Sequence, residues 1–520
     1  MSGKYKNAIS EFYKKNGGRA IFITAALSCF FCYFYLCIYG HGGPDSVSEG
    51  VRFYRNADWA TECARWMIRY QNIVFGKDEI IPFNVVIVYC AMTAVSCILL
   101  ADMFEIRSTL SHVLLSAMLV SFPVVADQFA YLYMALSYSF SFLAVVLGIW
   151  LIRSLKPVNI ALSVLCFLLM LGSYQAYIAA IAALGLIMFI MDSIKGEKLK
   201  TAWLRLGISA GSAFAACLLN FPVTSLMIEH YNVSASDRVS AFSFGSIMEN
   251  LGFTLKYSYI WFFTPFLEQV RLFKNKLYVL VFILIVAAFA AVLYSCIKKK
   301  KYVNAILAAA AFLLIPLAMN VCVVIFPANG INNVMRYQYV LVFVLGAALI
   351  EMMSESLIRK ITAAAAAAAV TVLICTYALS ANCTWMLNKL IYDQNIRQAQ
   401  LMMGRIYELD GYTDKETPIV MGGPIDYSEL RGIYAQMFEY SRIGAGPVFW
   451  EDVYGMTHGR YHFFREYLGM DPGWIDNATY LGIVNSAEYA AMPVWPERGS
   501  VAMIGGCAVV KNTDTPPGRE

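Results

Sequence analysis

The chain has 520 residues, 59% of them apolar and only 14% charged, with a formal net charge of +5 and a mean hydropathy of +0.58. Soluble domains average about 25% charged residues, so this composition excludes an ordinary soluble enzyme and indicates a mainly α, polytopic membrane protein. No soluble segment pairs a basic patch with interleaved aromatics, which gives no reason to expect a nucleic-acid partner, and the 13 cysteines lack any CxxC pair and read as small core hydrophobes.

A basic segment, 1–19, leads into an apolar run with no small-residue cleavage site, so that run reads as a retained first span. A spanning helix needs roughly 20 mostly apolar residues. By that measure about eleven spans are predicted, at 20–39, 82–102, 110–126, 132–152, 158–173, 176–194, 202–222, 277–297, 303–325, 337–354 and 361–380. Pro123, Asp127 and Gln128 split one long apolar tract; Ser173, Tyr174 and Gln175 split another. With the N-terminus inside, every inner connection carries Lys or Arg, among them Arg107, Arg153, Lys195 and Lys298, as the positive-inside rule requires. This orientation puts the N-terminus in the cytoplasm. Asp102 and Asp192 then lie at inner ends and mark the membrane boundary.

Three outer segments are substantial in that topology. The first outer loop, 40–81, gathers acids, arginines and aromatics between two apolar runs. The second, 223–276, mixes aromatics with isolated charges and suits helices lying in the interface. The tail, 381–520, has more charge, turn signals and no further span, and reads as a small extracytoplasmic α/β domain following a transmembrane domain of 1–380. Within the tail, 386–409 has helical spacing and 417–422 reads as a strand. Residues 459–468 look like a helix ended by Gly469, and 500–512 like a hairpin around Gly505 and Gly506.

In the first loop, Asp58, Glu62, Arg65 and Arg69 are spaced four, three and four apart and share one face of a helix. That pattern fits a surface helix laced by its own salt bridges, or one wall of a site. Asp45 follows Gly42, Gly43 and Pro44 just beyond the first span. An acid there could accept a proton from a substrate hydroxyl, or it could simply cap the following segment, with Glu49 nearby. Polar residues also recur at outer ends of non-adjacent spans: Asp127 and Gln128, Tyr174 and Gln175, and Arg336 after a polar turn. Ionisable residues at membrane depth are functional candidates by default, and an arginine there can grip a lipid phosphate or merely snorkel to the interface. The histidines offer no third ligand to His458 and His462, so no metal is assigned, and no cofactor is expected.

The string PDSVSEGVRFYRNADWATECARW (44–66) resembles the bacterial GtrII-type glucosyltransferase family. So do the Arg65-Trp66 step, ADQFAYLYMALS at the outer end of the third span, the Tyr174-Gln175 pair and Arg336 opening a late span. The tail adds MPVWP (492–496) before a final hairpin. Two departures stand out: Ala64 replaces the glycine that usually precedes the arginine, and the acids some members pair are spread out as Asp45 and Glu49.

The resemblance implies a GT-C-like membrane glycosyltransferase that uses a polyprenyl-phosphate sugar, typically undecaprenyl-phosphate glucose, outside the cytoplasmic membrane. An acid of the first outer loop deprotonates the acceptor hydroxyl of a cell-surface glycan, and the lipid phosphate leaves with inversion. On this reading Asp45, with Glu49 second, is the base. Arg336 with Arg65 or Arg69 holds the phosphate, and Asp58, Asp127, Gln128, Tyr174 and Gln175 contact sugars. A lipid-linked polysaccharide polymerase or ligase is the alternative among enzymes. A lipid-linked saccharide transporter would want charges deep within its spans, whose middles here are nearly free of charge.

Overall fold

The apolar runs form helices because, in hydrocarbon, each backbone N–H and C=O has to be paired within its own segment. The computed structural model describes residues 11–40, 58–75, 81–236, 248, 251–267, 276–322, 332–425, 428–440 and 453–518. Among them, 9 helices are long and apolar enough to cross a membrane. They are Gly18–Tyr39, Pro82–Phe104, Thr109–Phe129, Leu132–Ile152, Gln175–Lys195, Leu199–Tyr231, Leu277–Lys298, Asn333–Met352 and Leu357–Tyr407. Two shorter apolar helices, Pro157–Leu171 and Tyr302–Leu313, occupy the two remaining expected runs. The result is a polytopic helical membrane protein.

Two expected boundaries are corrected. The helix Leu199–Tyr231 runs through Pro222 and past the anticipated end at 222, and the segment that follows contains a further helix, Leu251–Leu267. The last span and the separate helix expected at 386–409 are one 51-residue helix, Leu357–Tyr407. No proline or glycine occurs between 357 and 403, so nothing interrupts its hydrogen-bond ladder where it leaves the apolar stretch.

Several membrane helices are broken near one end. Thr109–Ser121 stops at Phe122, whose extended backbone precedes Pro123, and a new short helix, Pro123–Phe129, begins there. The residue before a proline is pushed out of the helical region, and proline suits the first turn of the next helix. Gln175–Tyr177 and Asn333–Val340 are 3-10 segments that run into Ile178–Lys195 and Leu341–Met352.

The opposite end is held by charge. Asp102 Oδ2 accepts from Trp150 Nε1 at 2.9 Å and from Arg153 at 3.1 Å, while Asn16 Nδ2 donates to Oδ1 at 3.3 Å. Arg205 pairs with Asp192 at 2.9 Å and also donates to the carbonyl of Arg153 at 3.0 Å. Lys195 pairs with Glu105 at 3.0 Å. The two aspartates expected to be mere boundary marks are therefore the acids of a clasp joining four helices and the N-terminal segment. Partly buried acids of this kind are retained where a cation and hydrogen bonds satisfy them.

The tail builds a second hydrophobic core on the far half of the long helix, around Met402, Ile406, Phe463 and Val509. Its three-stranded sheet has the order β1 (Ile419–Gly422), β3 (Cys507–Lys511), β2 (Val501–Ile504). β1 and β3 are parallel, and β2 and β3 form the expected hairpin over Gly505 and Gly506, both at positive φ. Arg460 is fully buried on the helix Val453–Tyr467 and donates to the carbonyls of Ile419 and Gly473. Burial pushes its guanidinium down to about 10.

Glu351 accepts from the backbone N–H groups of Arg107 at 2.7 Å and Ser108 at 3.1 Å, where the next helix starts. Glu351→Ala would leave both amides without their acceptor at a cost of about 1 kcal/mol. A lower thermal midpoint in detergent is the expected result, and an unchanged midpoint would show that these two hydrogen bonds add nothing to stability.

Candidate active site

The broken helix ends meet one another. Gln128 is fully buried, and its Oε1 accepts from Tyr89 Oη at 2.6 Å while Nε2 donates to Tyr177 Oη at 2.9 Å. Gln71 Nε2 donates to Ser173 Oγ at 3.0 Å, and its Oε1 accepts from Ser137 at 2.6 Å. Irregular backbone at membrane depth survives only where protein groups satisfy it, and these amides and hydroxyls supply that satisfaction.

The expected single helix carrying Asp58, Glu62, Arg65 and Arg69 is instead two short ones, Asp58–Glu62 and Met67–Phe75. Between them Ala64 takes a left-handed backbone, φ 59°. The break is imposed from outside: Gln175 Nε2 donates to the carbonyls of Cys63 at 3.1 Å and Ala64 at 3.0 Å, and Met67 N donates to Gly172 O at 2.8 Å. Trp66 fills the space over Gly172, where a Cβ would lie 2.4 Å from the indole, and its Nε1 donates to Asn220 Oδ1 at 3.0 Å. Alternating spacing on one helix gives way to two arginines with different surroundings.

Arg69 is committed. It pairs with Asp58 across the break, donates to Thr61 Oγ1 at 2.7 Å and lies 3.6 Å from the Tyr231 ring centre. Arg65 is not. Its guanidinium sits 4.9 Å from the centre of Trp59 and 5.0 Å from that of Tyr174. No carboxylate among the described residues pairs with it, and its Nε is buried without a hydrogen-bond partner. A cation between two ring faces keeps its charge partly desolvated and available to an anion.

Ring contacts lead from Arg65 to the other arginine. Tyr174 meets Tyr138 at 4.7 Å and Tyr177 at 6.0 Å, and Tyr177 meets Tyr337 at 6.5 Å. Arg336, next to Tyr337, is half-buried on the 3-10 segment and lies 5.9 Å from the centre of Trp261. Asp127 is buried on Pro123–Phe129 beside Gln128. Of the residues anticipated to contact sugars, Gln128 and Gln175 spend their amides on the protein itself and act as struts, whereas Asp58 is half-exposed and bound to Arg69. Asp45 and Glu49 lie outside the described residues.

Sequence reasoning passed over Gln71, Asn220 and Trp261, and read Trp59 only as part of the apolar face of an interfacial helix. For Asn220 the available signal was a lone amide within an apolar stretch, and for Gln71 the amide pair it makes with Asn72; the two tryptophans read as interface aromatics. Among the described residues no group of acids, histidines and cysteines could hold a metal.

A family model described as Glucosyl transferase GtrII matches residues 48–347, more than half of the 520 residues. No curated protein and no solved structure matches the chain.

Left-handed backbone costs an alanine about 1 kcal/mol relative to glycine. Ala64→Gly is accordingly expected to raise the thermal midpoint in detergent, and Ala64→Val to lower it. A lower midpoint for the glycine variant would mean that packing of the Ala64 methyl outweighs the backbone strain.

Proposed function

Because the chain belongs to the GtrII glucosyl transferase family and is a multi-pass membrane protein, we propose that it transfers glucose from a polyprenyl-phosphate donor to a cell-surface glycan. Family and fold make it a membrane glycosyltransferase; the donor, acceptor and mechanism are our reading. The observation that carries this reading is Arg65, a cation between two aromatic faces with no carboxylate partner among the described residues. It lies within the first loop, where that loop meets the broken helix ends.

In this scheme the protein is GT-C-like and works on the extracytoplasmic side of the cytoplasmic membrane. An acceptor hydroxyl oxygen attacks the anomeric carbon and the bond from that carbon to the phosphate oxygen breaks. The lipid phosphate leaves from the opposite face, so the configuration inverts in a single displacement. The hydroxyl proton passes to the carboxylate of Asp45, or of Glu49 in its place. Arg65 and Arg336 stabilise the charge that develops on the departing phosphate. Arg69 is the weaker candidate for that role, since an acid, a hydroxyl and a ring already occupy it.

Asp127 and the tyrosine row beside Arg65 would face the sugar, with Tyr174 both a wall for the guanidinium and a platform for the ring. Gln128 and Gln175 contribute by holding those walls in place. The transmembrane part, 1–380, would carry the chemistry, and the tail, 381–520, would guide the polymeric acceptor outside the membrane.

Transfer assays with purified protein, a polyprenyl-phosphate glucose and candidate glycans test the scheme. Asp45→Asn or Glu49→Gln, whichever removes the base, is expected to lower kcat about 100-fold or more with little change in donor binding. Full activity in both variants would remove the loop from the chemistry. Arg65→Ala is expected to weaken donor binding about tenfold or more, with Arg65→Lys recovering only part of it, because lysine lacks the planar fork that grips phosphate. Unchanged binding in Arg65→Ala would assign the residue to packing alone.

A further inference from the structure

At the other end of the first membrane helix the chain makes a fixed elbow. Residues 11–15 are helical, Asn16 and Gly17 turn, and Gly18–Tyr39 then enters the membrane. Asn16 is fully buried, donating to Phe12 O at 3.1 Å and Asp102 Oδ1 at 3.3 Å. Gly17 has φ 65°, and a Cβ there would fall 2.0 Å from His112 Nδ1; at Gly18 it would fall 2.2 Å from the Tyr13 ring. Both positions therefore need glycine, and the turn is locked against the neighbouring helix.

Along the elbow runs an open groove of about 450 Å³, lined almost wholly by apolar surface from Tyr13, Lys14, Arg19, Ala20 and Ile23 around the two glycines. Lys14 and Arg19 are exposed and have no carboxylate partner among the described residues. Residues 1–19 carry Lys4, Lys6, Lys14, Lys15 and Arg19 against the single acid Glu11. The apolar face continues along the helix as Ile23, Leu27, Phe30 and Phe34, all exposed on its outer side at spacings of three and four.

We propose that this elbow is a binding site for an anionic phospholipid. The phosphate sits between Lys14 and Arg19, and an acyl chain lies along Ile23, Leu27 and Phe34. Cations at the headgroup level continuous with an apolar stripe match both halves of such a molecule. A free phosphate would leave the apolar wall unused. The helix Gly18–Tyr39 has 22 residues, so at 1.5 Å per residue the elbow lies ~30 Å from that helix's other end at Gly40. The site is thus separate from the donor site and does not rest on the transferase scheme.

Native mass spectrometry of the full chain, released from nanodiscs of mixed phosphatidylcholine and phosphatidylglycerol, reads the occupancy. Retention of phosphatidylglycerol over phosphatidylcholine is expected, falling about tenfold or more in Lys14→Ala/Arg19→Ala, since each cation near a lipid headgroup contributes severalfold. Ala20→Trp, which fills the groove and keeps both cations, is expected to lose the lipid as well, whereas Lys15→Ala is expected to keep it. Equal retention of the two lipids, or unchanged retention in the double variant, would overturn the proposal. So would displacement of the lipid by inorganic phosphate at matched ionic strength, or preferential retention of a polyprenyl phosphate.

Discussion

Two hydrogen bonds from Gln175 Nε2, to the carbonyls of Cys63 and Ala64, hold the site in its shape. Those carbonyls lose their helical partners where the chain breaks, and a buried carbonyl needs another donor in their place. The amide of a different helix supplies the donor. With the break secured, Arg65 and Arg69 point into different surroundings although only four residues separate them. One is neutralised by Asp58, and the other is left between Trp59 and Tyr174. A continuous helix would have stacked the two arginines on one face beside their acids.

The two ends of the bundle are built on different principles. At the basic end, opposite charges close the gaps between helices: Asp102 with Arg153, Asp192 with Arg205, Glu105 with Lys195. At the other end amides, hydroxyls and tyrosine rings do most of this, beside the one ion pair Asp58–Arg69 among the described residues there, and their hydrogen bonds carry little net charge. A site for a charged leaving group gains from that division. Asp58 at this end is bound to Arg69 rather than to Arg65, and the carboxylates of the clasp are at the far end, so the field that Arg65 offers to an anion is less screened.

Most of the membrane-embedded part was legible in the sequence, because a run of about 20 apolar residues has few alternatives to a spanning helix. The hairpin over Gly505 and Gly506 was legible for a similar reason, since positive φ at both positions selects glycine. The break at Ala64 was not. Alanine gives no local turn signal, and the cause is a glutamine more than a hundred residues away; only the glycine that the GtrII pattern carries at that position hinted at left-handed backbone. The fusion of the last span with the helix beyond it was missed because the polar residues Ser380 and Asn382, where the apolar run stops, resemble a helix end, whereas backbone continuity depends on breakers and none is present. Asp102 and Asp192 were legible as polar but not as paired, since their cations lie on other helices.

The 51-residue helix Leu357–Tyr407 joins the membrane core, at Trp385, to the core of the tail, at Met402, without a joint. In such a rod, distance and direction are locked together: each residue adds about 1.5 Å of height and about 100° of rotation. A change of one residue between Trp385 and Met402 would therefore turn the face bearing Met402 and Ile406 to another bearing, far more than it would raise it. Seven residues, close to two full turns, nearly restore the facing. The length of this stretch is therefore set by rotational phase as well as by reach, a constraint that a flexible linker of the same span would not impose.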